Sequence, residues 1–206
     1  MKSKLSVRAL ALAAAGAAAL AMAGSAGGQT MPTPQHDYKA APPGKYALDV
    51  HHTGLVARVP HVGFSYSIFR FDTVAGALTW DPAHPRADAL SVTVDPKSIA
   101  TPVPGFSDEI GAKFLDVIKF PAATFVSTAF HPTSPTHGKV EGDLTLMGIT
   151  KHVVFDVDLV GAGKGFRGPV IGVTARTVLD PAIYGLPKFI TGPIQLIIDT
   201  EFDGQA

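Results

Sequence analysis

The side chains best suited to metal or acid–base chemistry are eight histidines and a scatter of carboxylates. Asp49, His51 and His52 lie close together and His61 follows, a set that would suit zinc-dependent hydrolysis if three donors converged. His51 and His52 are adjacent, however, so on a strand they point to opposite faces and only one shares Asp49's side. His84, His131 and His137 sit beside prolines or in connections, and His36 lies in an irregular lead. No three-ligand spacing results, and the expectation is no metal. Nucleophilic serine fares no better. Gly63–Phe64–Ser65–Tyr66–Ser67 starts like a nucleophile elbow but lacks the closing glycine and lies in a β-rich stretch. Ser107, in Gly105–Phe106–Ser107–Asp108–Glu109, reads as a helix cap. There is no cysteine, which removes thiol chemistry and disulfides together. In the glycine-rich run Gly161–Gly168, Lys164 is followed by Gly165 and not by Ser or Thr, so it reads as a turn and not a phosphate loop. Asp156 and Asp158 share a face with His152 that is expected to meet solvent.

The elements that would carry these residues are mostly short strands. Tyr46, Leu48 and Val50 alternate with polar neighbours, as do Leu90, Val92 and Val94, and Val153, Phe155, Val157 and Leu159. Val62–Phe71 is aromatic-rich, and its apolar parity switches between Ile68 and Phe69, which predicts a bulge or a bend there. Further strands are expected over Leu55–Val59, Val74–Trp80, Ala122–Phe130, Glu141–Leu146, Val170–Leu179 and Ile194–Phe202. Met147–Lys151 fits a hairpin connection. One helix is expected near 106–117, with Ser107 capping it and Asp108 and Glu109 in its first turn. With 17 prolines, 21 glycines and no asparagine, turns recur about every ten residues. The pattern is all-β, an antiparallel barrel or sandwich forming one domain.

Residues 1–26 read as a secretory signal peptide: Lys2, Lys4 and Arg8 precede an apolar run too short to span a bilayer, and small residues follow. A periplasmic or secreted location is therefore expected. Residues 27–44, with Pro32, Pro34, Pro42 and Pro43, read as a flexible lead, and the domain occupies 45–206. Without the three leader cations, 14 basic side chains face 17 acidic ones, a net charge of −3 that argues against nucleic acid.

A closed barrel of about eight strands encloses either packed side chains or one small apolar ligand. The inward candidates are Leu90, Val92, Val94, Phe125, Leu144, Leu146, Phe155, Val157, Leu196 and Ile198. Residue types alone favour a filled interior, while Phe64, Tyr66, Phe69, Phe71 and Trp80 keep a ligand pocket open.

Two segments carry a more specific pattern. KFLDVIKFPAATFVST contains Phe120–Pro121, Ala123, Phe125 and Ser127, and GKVEGDLTLMGITKHVVFDV contains Gly142, Leu144–Thr145, Gly148 and Thr150–Lys151. With His61–Val62–Gly63 and Tyr184–Gly185 they resemble the YceI-like family of exported bacterial proteins, over about Tyr46–Phe202. The resemblance implies an extended, lipocalin-like antiparallel barrel holding an isoprenoid, or a quinone-like molecule, in an apolar tunnel walled by the ten inward candidates. It implies storage or transport, not catalysis, and no cofactor beyond the bound lipid. Arg58, His61 and Arg176 are then candidates to orient a polar head at the mouth, with the five aromatics as contacts there. Phe69 replaces a glycine usual in the family, so its ring is expected to narrow the tunnel. The expected partner is an isoprenoid or other long apolar molecule, with transient membrane contact and a homodimer left open. The alternatives are a small exported metal-dependent hydrolase and a ligand-free structural or stress-protective barrel.

Overall fold

The computed structural model describes residues 30–205. Its strands are β1 (Gly44–Leu48), β2 (Gly54–His61), β3 (Ser65–Phe71), β4 (Val74–Trp80), β5 (Ala89–Val94) and β6 (Ile99–Ala100). After a helical segment come β7 (Ala123–Pro132), β8 (His137–Leu146), β9 (Ile149–Lys164), β10 (Pro169–Leu179) and β11 (Ile194–Gly204). All pairings are antiparallel, in the order β1-β4-β5-β7-β8-β9-β10-β11 with β11 returning to β1. The result is a closed barrel of eight strands.

Three barrel strands are broken in two. β1 and β2 lie end to end along β11, with Leu48 opposite Phe202 and Gly54 opposite Asp199, and the turn 49–53 interrupts them. β3 and β4 answer β2 and β1 in the same way, and β5 and β6 answer β4 and β3. The register of β3 against β2 runs without a shift from Phe71 to Ser65, so the bulge expected after Ile68 is absent. Both parities of β3 carry apolar side chains. Phe69 is buried, whereas Tyr66 and Ile68 are exposed on the outer face. The bulges lie instead at Ser127/Ala129 of β7 and Gly172/Val173 of β10.

The helical segment closes one end. α1 (Phe106–Ile110) continues as a wide π turn over Gly111–Leu115 and stops at Asp116, which is left-handed with φ 45°. Gly105, not Ser107, is the N-cap residue, and Ser107 Oγ instead accepts the Thr101 N–H at 3.1 Å. Phe106 meets Phe69, and Phe114 meets Phe189 edge-on at 5.5 Å between ring centres. Tyr184, Leu186 and Ile190, from the β10–β11 connection, complete a packed plug with Ile99, Val153 and Leu179.

The other end is covered by part of the segment expected to be a flexible lead. Gln35 exchanges two backbone hydrogen bonds with Ala162, and the Tyr38 N–H donates to the Pro135 carbonyl at 3.0 Å. Ala41 is fully buried. Residues 35–41 therefore form a strap across the barrel.

Gly142 shows how tightly the inner wall is drawn. Phe125 lies over it, in edge-on contact with Phe155 at 5.1 Å, and a Cβ at residue 142 would fall 2.4 Å from the Val126 carbonyl oxygen and 2.5 Å from the Phe125 ring. Gly142→Ala is expected to destabilise the barrel by about 2 kcal/mol, because the nearest obstacle is backbone that cannot swing away. Urea unfolding checks this, and an unchanged midpoint would contradict it.

Asp88, in the β4–β5 connection, has its carboxyl pushed up to about 6, first by burial and then by the Asp81 carboxylate, although it accepts the Asp81 N–H at 2.6 Å. Between the ordinary value near ~3.9 and 6 the folded chain holds a proton the unfolded chain has lost. Stability from this group therefore falls as pH rises through that window. Asp88→Asn should raise stability at neutral pH by up to about 1 kcal/mol, after discounting for solvent screening. It should also flatten the slope between about pH 4 and 6, read as urea midpoints at the two values.

Candidate ligand cavity

Period-two alternation sends Leu90, Val92 and Val94 of β5, Leu144 of β8, Phe155 and Val157 of β9, and Leu196 and Ile198 of β11 to the barrel interior. With Phe125 they line a cavity of about 210 Å3, together with Leu159, Ile171, Val173 and Ala175. Most of these inward side chains are only half-buried. Their residual exposure faces the empty interior, because the walls stand too far apart for facing side chains to close the gap. Nine of the ten residues expected on the inner wall line this cavity; Leu146, the last residue of β8, packs with the plug at the closed end instead.

The cavity reaches the surface beside the β7–β8 connection. There its rim is made by Tyr38, Trp80, Phe130, His131, His137 and Lys139. Tyr38 and Trp80 meet edge-on at 6.1 Å. The side chains of the last three rim residues turn outward: His131 faces Glu141, His137 pairs with Asp158, and Lys139 pairs with Asp156. His137 and then Arg176 hold the Asp158 carboxyl below its ordinary range by hydrogen bonding to it. Among the described residues, the fully buried side-chain polar atoms without a partner are Trp80 Nε1, at this rim, and Tyr184 OH, in the plug.

The residues proposed for the mouth are mostly elsewhere. Trp80 lines the cavity, and Phe71 points inward between its two packed ends. Phe69 points inward but belongs to the plug, so it shortens the interior at one end and does not line the cavity. Tyr66 and Phe64 are exposed on the opposite parity of the β2–β3 hairpin, and His61 is exposed at its tip. Arg58 lies on the outer face, 3.6 Å above the Tyr66 ring centre, and donates to Gln195 Oε1 at 3.0 Å. Arg176 is an outer-face residue of β10 held by Asp158. None of these last five reaches the cavity. Tyr38 was not foreseen at the rim, because its segment has no apolar periodicity. The β7–β8 connection gave only one hint, His131 and His137 flanking a Pro/Ser/Thr turn.

The histidine set at the start of the barrel is also rearranged. His52 Nδ1 lies 2.6 Å from Asp49 Oδ2, while His51 contributes its backbone N–H to Asp49. His61 is not part of this group. Glu201 of β11 joins instead, giving one donor atom each from Asp49, His52 and Glu201 within 4.8 Å of one another. Hydrogen bonding to Asp49 raises the His52 pKa and lowers that of Asp49, so the turn's own ion pair accounts for the arrangement.

Comparison with known proteins agrees with this architecture. Residues 46–202 match the family model described as YceI-like domain. A UPF0312 protein of Pseudomonas putida (strain W619) is 37% identical over 131 residues, which cover 63% of this chain and 68% of the relative. The solved structure of Burkholderia cenocepacia BcnA superposes with a TM-score of 0.67 at 19% identity, covering 75% of this chain and 98% of that one. A polyisoprenoid binding domain from Saccharophagus degradans, implicated in plant cell wall breakdown, gives 0.60 at 12% identity over 78% and 98%. A closed eight-stranded barrel plugged at one end, with the sequence pattern running through its β7–β9 wall, places this chain in the YceI-like family.

Proposed function

We propose that the protein is a carrier that shelters a polyisoprenoid, or an isoprenoid-quinone-like molecule, in its barrel, in the periplasm or outside the cell. The observation that carries this reading is the cavity of about 210 Å3, walled by aliphatic side chains with Phe125 and Phe155 and open beside Trp80 and Tyr38. An apolar cavity of only ~150 Å3 already takes up a benzene-sized guest. This one is larger, but a long chain needs its remaining length to leave through the mouth or to displace the plug. Burial alone supplies the affinity: at ~0.8 kcal/mol per CH2, each five-carbon unit withdrawn from water contributes up to about 4 kcal/mol. The polyisoprenoid-binding domain of Saccharophagus degradans shares the fold, which supports the ligand class. A role in storage or transport is supported by an interior walled mainly by aliphatic and aromatic side chains.

Solvent extraction of the purified protein followed by mass spectrometry is expected to release a prenyl lipid. A protein that emerges empty and takes up neither a polyprenol nor an isoprenoid quinone when offered them would falsify the reading. The double substitution Val92→Phe with Val173→Phe should fill the cavity, abolish uptake and leave the melting temperature no lower than that of the wild type, since the added rings occupy existing space.

A further inference from the structure

The β2–β3 hairpin carries an apolar surface that the barrel does not use. The outer face of β3 exposes Tyr66 (46%) and Ile68 (51%), and the turn before it exposes Val62 (51%) and Phe64 (90%). Scattered single apolar side chains are ordinary on a surface, but a group of this kind at a hairpin tip is not. The tip is held in place at some cost. Val62 and Gly63 both have positive φ, 50° and 80°, and the His61 carbonyl accepts the Phe64 N–H at 3.0 Å across them. A β-branched residue is a poor choice for that turn, and it adds another apolar group at the outermost point. The 187–193 loop lies against Pro60 and brings in Phe189, itself half exposed (52%).

Within the two segments that build this surface, charge is one-sided. From Gly54 to Phe71 and from Pro181 to Ile198 there is no acidic side chain, while Arg58, Arg70 and Lys188 are present. Arg70 is paired with Asp72 just beyond. Arg58 and Lys188 form no ion pair among the described residues, and Arg58 stacks directly on Tyr66. Across the barrel, by contrast, β8, β9 and β10 present Lys139–Asp156 and Arg176–Asp158 pairs to solvent. An aromatic tip flanked by cations outside any ion pair is the chemistry of contact with an anionic lipid surface. No described helix is long and apolar enough to cross a membrane.

We propose that the Val62–Ile68 hairpin tip is a docking surface for a bilayer carrying anionic headgroups, with Phe64 and Tyr66 entering the interface and Arg58 and Lys188 facing the headgroups. This goes beyond the cargo reading, since a barrel with no lipid inside it can still dock. The edge of β3 from Ser65 to Phe69 lacks a strand partner, because β6 pairs only with Arg70 and Phe71. A second copy is therefore the rival occupant of this surface.

The test is flotation of the full chain with phosphatidylcholine vesicles, with and without phosphatidylglycerol, against the variant Phe64→Ser with Tyr66→Ser. Both side chains lie outside the buried core, so the variant is expected to keep the wild-type circular dichroism spectrum, and both proteins share the same residues before the barrel. The wild type is expected to float with the phosphatidylglycerol vesicles and to be released by salt, and the variant to partition at least ~10-fold less. Equal flotation of the two proteins, or none by either, overturns the proposal. So does a wild-type dimer in sedimentation that the variant abolishes while neither protein floats, which would assign the surface to self-association.

Discussion

Closure of the sheet by β11 is the constraint on which the rest of the structure depends. Its last residues pair with β1 and its first with β2, with Tyr46 opposite Gly204 and Gln195 opposite Arg58. A single eleven-residue strand thus receives both halves of the first barrel strand. Once the ring is shut, eight strands enclose an interior of fixed girth, and side chains of moderate size cannot bridge it. The walls are mostly Val, Leu and Ile, and the rings of Phe125 and Phe155 do not fill the space between them, so the cavity is what remains.

The two ends treat that interior differently. At one end Phe69, Tyr184 and their buried neighbours form a cluster against which Phe106 packs. At the other only a strap and a hairpin connection cover it, held by the Gln35–Ala162 exchange and the Tyr38–Pro135 hydrogen bond. The contact of Phe125 with Gly142 draws β7 and β8 close in the middle of the wall. A molecule entering this barrel meets aliphatic side chains and the Phe125 and Phe155 rings along its length, a packed cluster at the closed end, and Tyr38 and Trp80 at the open one.

The barrel was legible in the sequence where one face of a strand is apolar and the other polar. Leu90, Val92 and Val94, or Phe155 and Val157, could point only one way. Legibility failed on β3, where Tyr66 and Ile68 are apolar like Phe69 and Phe71, so parity carried no information and a bulge was inferred to reconcile them. The rim failed for a different reason. Tyr38, Trp80 and His137 are distant in sequence and become neighbours only when the sheet closes, so no local spacing announces them. Glu201 reaches the Asp49–His52 pair in the same way, across the β1–β11 seam. Charged residues chosen for the mouth by their chemistry, Arg58 and Arg176, proved to lie on outer faces for which alternation alone could not select an end.

The unfilled interior also makes this a soft molecule in a mechanical sense. Unfolding eliminates an internal void, so the empty barrel occupies more volume than its unfolded chain and yields to hydrostatic pressure more readily than a packed barrel of equal size. A guest that occupies the void removes that volume difference, and adds to stability by mass action as its concentration rises above its dissociation constant. Compressibility of this fold is therefore a property of its loading state, set by whatever lies between Val92 and Val173.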